Sequence, residues 1–171
     1  MGRITDKNMI FNFLNGEGVD HLDRKFTDTL QWSDIQLEAC HDAVQFIFML
    51  HEDSNMAKSW PVVSPEIVEE AKKDPRIIKN LRAAKDRFER FLGIGDYDDR
   101  LKQNRWCRDG NHNLLRITRI IRSLRLFGLD DEADDFYEKV CKVGDDCKLN
   151  VKTYDYWYSA NCDNVWGTLR K

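Results

Sequence analysis

The stretch from Asn111 to Gly128 (NHNLLRITRIIRSLRLFG) constrains the fold more than any other part of the chain. Set at about 100° per residue on a helix, Leu114, Ile117, Ile120, Ile121, Leu124 and Phe127 form one broad apolar arc. Leu115 and Leu126 form a second, narrower one. His112, Arg116, Arg119 and Ser123 fall in the gap between the arcs, whereas Thr118, Arg122 and Arg125 point to the remaining open face. An ordinary amphipathic helix keeps all its guanidinium groups on the open face. A buried guanidinium stripped of its partner costs about 3–5 kcal/mol. Arg116 and Arg119 therefore require acidic partners, in the protein or in a ligand.

The rest of the pattern is helical too. Asp6 to Leu14 reads as a first helix, ended by Asn15-Gly16, and Val19 to Leu30 carries apolar residues at helical intervals. Ser33, with Gln36 three residues on, makes a capping box for a helix running to about His51. That helix is apolar over most of its circumference, which places it at the centre of the domain. Its narrow polar stripe is Glu38, His41 and Gln45, with Asp42 at the edge. Glu52 to Val63 reads as a loop; Ser64-Pro65 and Asp74-Pro75 each open a helix, to Lys72 and to Leu92. Asp96 to Gly110 reads as a long polar loop, Asp130 to Val143 as a helix stopped by Gly144, and Thr153 as the cap of a last short helix. No segment alternates convincingly, so the expected class is all-α: one multi-helix domain over residues 1–171 around the central 33–51 helix.

Of the 171 residues 42% are hydrophobic, 33% charged and 11% aromatic, enough to bury a core without staples. The net charge of −3 lacks the basic surplus of a phosphate-backbone reader, so no nucleic-acid partner is expected. The longest apolar run, Phe46 to Leu50, is too short to span a bilayer. The five cysteines form no CxxC pair, and with no leader pattern at the start they read as reduced thiols of a cytoplasmic protein. Oligomeric state is not legible.

The two polar stripes carry what chemistry the chain offers. In one reading Arg116 and Arg119 pair with Glu38, Asp42 or another buried carboxylate and fix helix packing. In the other they line a pocket and hold a carboxylate or phosphate through bidentate hydrogen bonds. Glu38-x-x-His41 has the spacing of a diiron ligand pair, but no second such motif occurs, so no metal and no cofactor is expected. His41 or Glu38 would serve as acid or base if the chain were an enzyme. No nucleophile elbow, P-loop, dinucleotide-binding glycine pattern or zinc signature supports that.

The sequence HNLLRITRIIRSL from His112 to Leu124 resembles the signature of the opioid growth factor receptor conserved domain. So does Leu37-Glu38-x-x-His41-x-x-x-Gln45-x-x-Phe48, with Phe91-Leu92-Gly93 matching a segment between the two. Phe46 and Met49 replace the tryptophan and proline usual in that family. The likeness spans about 19–157. It implies a shared fold and carries over to Glu38, His41, Gln45, Asn113, Arg116, Arg119 and Ser123. Animal members are described as receptors for an enkephalin-type peptide, associated with the nuclear envelope; this chain ends soon after the shared domain. The expectation is therefore a non-enzymatic domain binding a small anionic molecule or peptide. Arg116 and Arg119 would clamp the anion, Gln45 and Asn113 orient it, and Trp157 cover it. The alternatives are an enzyme acting on a nucleotide or phosphoester, and a protein-interaction module whose polar stripes are purely structural.

Overall fold

The computed structural model describes residues 2–53, 59–162 and 164–169. It holds ten α-helices, one 3-10 turn (Gly95–Tyr97) and a single pair of two-residue strands among them. The all-α class holds. The chain divides into two units, 1–84 and 85–171, the division falling inside one helix.

The first unit contains β1 (Arg3–Ile4), α1 (Lys7–Asn15), α2 (Phe26–Leu30), α3 (Asp34–Ala39), α4 (His41–Ile47), β2 (Trp60–Pro61), α5 (Pro65–Ala71) and the start of α6 (Pro75–Leu92). Asp6, read in the sequence as the first helical residue, instead caps α1 by accepting the Met9 amide at 2.7 Å. Phe13 of α1 packs edge-on against Phe46 of α4 and tilted against Phe26 of α2, at 5.7 and 5.6 Å between ring centres. β1 and β2 pair in parallel, Arg3 opposite Trp60, so part of the 52–63 segment expected as loop is a strand; residues 54–58 of it lie outside the described residues.

Two sequence expectations need correction here. The 19–30 segment is helical only over α2, because the Asp20 carboxylate accepts the amides of Leu22 and Arg24 and draws that backbone into a turn. The expected 33–51 helix keeps its Ser33–Gln36 capping box but breaks at Cys40 (φ −96°, ψ 82°) and ends at Ile47. The break reconciles two burial patterns that one straight helix cannot carry. α3 lies at the surface with only Leu37 buried, whereas α4 buries every side chain from Ala43 to Ile47.

The second unit holds the end of α6, then α7 (Arg100–Trp106), α8 (His112–Leu126), α9 (Asp130–Cys147) and α10 (Val151–Ala160). Both α9 and α10 pack on α8. The expected 96–110 loop contains α7, capped by Asp99, whose side chain accepts the amides of Leu101 and Lys102. Inside that helix Gln103 and Trp106 are buried, and the Trp106 indole donates to the Leu92 carbonyl at 2.9 Å. α9 runs through Gly144 instead of stopping there. A Cβ at Gly144 would lie 2.9 Å from the Tyr154 hydroxyl, so glycine serves the close approach of α10 and not chain termination. Asn150, not Thr153, caps α10. Cys107 and Cys147 are joined in a disulfide, with Cα atoms 6.0 Å apart, which corrects the expectation of five free thiols. No helix among the described residues is long and apolar enough to cross a membrane.

Candidate functional site

α8 starts where its sequence says it should. The Asn111 side chain accepts the Asn113 amide at 2.9 Å, and its own amide donates to the Arg105 carbonyl at 3.1 Å. Five polar side chains of α8 are buried: Asn113, Arg116, Thr118, Arg122 and Ser123. Arg116 is 7% exposed and donates to Asn113 Oδ1 at 3.2 Å. Arg119 is half-buried. Asn113, Arg116, Arg119 and Ser123 all have interaction partners, so burial here leaves none of them stranded.

The open face expected for Thr118, Arg122 and Arg125 does not exist. α10 and the segment after it lie over it. Arg122, 1% exposed, donates from its two terminal nitrogens to the carbonyls of Asn164 (2.7 Å) and Ser159 (2.8 Å). It thereby fills the role of a basic residue at the carbonyl end of α10. Arg125 reaches Asn161 Oδ1 at 3.0 Å and Asp134 Oδ1 at 2.5 Å. Thr118 turns back to the Leu114 carbonyl at 3.1 Å. Leu115, expected in an apolar arc, is 53% exposed instead. Trp157 is fully buried, its indole donating to the same Leu114 carbonyl at 3.2 Å, so it packs in the core of this unit. The one sequence signal for Arg122 was Leu126, an apolar residue four positions on along the same face; Thr118, four positions back, is inward as well.

The second stripe belongs to the first unit and is split by the Cys40 break. Glu38 is half-buried in the last turn of α3, and His41 is exposed at the first position of α4, not an interior histidine. Gln45, one turn further, is buried, and its Oε1 has no hydrogen-bond partner among the described residues. Asp42 is held by Arg24, which donates to both its oxygens at 3.2 and 2.9 Å and to Asp20 Oδ2 at 2.7 Å. Burial would raise the Asp42 carboxyl, but the Arg24 hydrogen bonds and charge outweigh it and hold the group below its ordinary value. The His21 ring stacks on Phe46 at 4.8 Å with its Nε2 3.8 Å from Asp42. No cluster of three metal-ligating side chains occurs among the described residues.

These features define a helical domain organised around a helix with buried polar groups, and the comparison with protein families narrows the class. The opioid growth factor receptor conserved region matches residues 7–136 of the 171, and the chain belongs to that family. The match takes in α1 and both stripes and ends before α10, so Trp157 lies outside it. Comparisons with curated proteins and with solved structures gave no significant match.

Proposed function

We propose that the chain is a non-enzymatic binding domain for a small molecule or peptide carrying a phosphate or carboxylate. Arg116 carries this reading. Its guanidinium is buried on α8 and oriented by Asn113, and Arg119 follows three residues on, where helical neighbours share a face. Two guanidinium groups so placed suit the bidentate geometry of carboxylate and phosphate oxygens. Ser123 continues the stripe on α8; Glu38, His41 and Gln45, in the first unit, are proposed as functional residues on the family pattern alone. The family description names a receptor, which favours binding over turnover. His41, exposed at the start of α4, offers no comparable support for acid–base chemistry. A cytoplasmic location and a single family domain over 1–171 are part of this proposal.

Native mass spectrometry of freshly purified protein tests for a retained small molecule. Calorimetry with inorganic phosphate and with a short peptide bearing a free carboxylate tests the anion directly. Arg116→Ala and Arg119→Ala should each abolish binding. Unchanged affinity in both variants, with only a lower melting temperature, overturns the proposal. A protein-interaction module with structural polar stripes is the second reading, supported by the exposed apolar side chains Leu101, Leu115, Val151 and Tyr158 of the second unit.

A further inference from the structure

The connections α7–α8 and α9–α10 are fastened to each other twice. Cys107, just after α7, is bonded to Cys147, the last residue of α9. Two residues on from Cys107, Asp109 Oδ1 accepts the Asn150 amide at 2.8 Å. Each connection then ends in a capping asparagine, Asn111 for α8 and Asn150 for α10. The helices that follow are themselves joined, since the Trp157 indole in the second turn of α10 bonds the Leu114 carbonyl in the first turn of α8. Asn113 lies in that first turn of α8, and Arg116 is the residue that opens the second. The two cysteines differ in exposure: Cys107 is 8% exposed, whereas Cys147 is half-buried. The nearest free thiol in sequence, Cys141, is pushed up by burial and is a poor exchanger at neutral pH.

We propose that Cys107 and Cys147 form a reversible redox clasp that sets how firmly the first turns of α8 and α10 are held. Its effect on anion affinity at Asn113 and Arg116 rests on the function proposed above. Opening begins when the thiolate of a small thiol of the glutathione type attacks the Sγ of Cys147, the more exposed of the two residues. The S–S bond breaks, and its electron pair leaves on Cys107 Sγ, which takes a proton from water. A second small thiolate then attacks the mixed disulfide, releasing the small disulfide and the Cys147 thiol. Closing is the reverse, with the small disulfide as oxidant.

The test uses the full chain in reduced and in oxidised glutathione. Peptide mapping after alkylation reads the bond, hydrogen exchange reads segments 108–118 and 148–157, and calorimetry reads the affinity for inorganic phosphate. Oxidation should join Cys107 to Cys147, and reduction should speed exchange in both segments and weaken phosphate binding about tenfold. Cys107→Ser and Cys147→Ser should show the reduced behaviour in either buffer. A folded chain whose Cys107 and Cys147 stay unjoined in oxidised glutathione overturns the clasp, as does identical exchange in the two buffers. Redox-dependent exchange with no phosphate binding in either buffer supports the clasp and overturns the anion reading instead.

Discussion

Arg24→Met is the most incisive perturbation of the first unit, because one guanidinium there holds two carboxylates. Asp20 has a side chain only 1% exposed, and Asp42, beside Gln45's turn on α4, is 28% exposed. The methionine fills the stem of the arginine but leaves Asp20 with the Leu22 and Arg24 amides alone. Stranding a buried carboxylate costs about 3 kcal/mol, the low end for a broken buried pair because those two amides remain. The more exposed Asp42 adds about 0.5 kcal/mol or less. A chain of this length loses roughly 2–4 °C per kcal/mol, so the melting temperature at neutral pH should fall by about 10 °C. The pH dependence supplies the sign. The Asp42 carboxyl lies below its ordinary value in the folded chain, so its contribution is complete above the unfolded carboxylate range. That contribution is lost as pH falls through the depressed folded value. The gap between wild type and variant should therefore narrow in acid. Thermal melts of both proteins from pH 7 to pH 3 check this. A gap below 2 °C at neutral pH, or one that widens toward pH 3, refutes the argument.

Two further outcomes concern the second unit. Glu89 is buried between Lys85 Nζ at 2.5 Å and Lys139 Nζ at 3.1 Å, both of which also reach Asp135. Glu89→Gln should cost about 3 kcal/mol in urea denaturation, since it leaves two lysines with one carboxylate. Gly144→Ala places a methyl against a Tyr154 hydroxyl pinned to Asp145 at 2.9 Å. Overpacking of about 2 kcal/mol against a helix-propensity gain of about 1 predicts a net loss near 1 kcal/mol in thermal melts. In a Tyr154→Phe background the loss should shrink, with Leu149 Cδ1 and the ring Cζ still 3.3 Å from the added methyl.

The sequence patterns located helices wherever a local rule decided the matter. Ser33 and Ser64 cap the helices their positions announce, and Asp6 and Asn111 do the same for α1 and α8, each accepting a backbone amide of the first turn. Long-range packing decided the rest. Gly144 looks like a stop until α10 is seen to press on it, and Arg122 looks solvated until the α10 carbonyls arrive to receive it. Cys40 breaks a helix that periodicity makes continuous, because periodicity reports apolar positions and not how deeply each lies. Asp99 could have revealed α7: it precedes a run in which Gln103 and Trp106 are three residues apart. Of the two stripes, Arg116, Ser123 and Gln45 are interior as their spacing implied, whereas His41 is exposed.

α8 is enclosed by its neighbours on nearly every side, with Leu115 its one fully open position. Chance replacements accumulate where a side chain meets only water, and this helix gives them almost nowhere to settle. Lineages that share it should therefore drift apart first along α3 and α5, leaving the arginine helix as the slowest clock in the chain and the stretch by which distant kin are recognised.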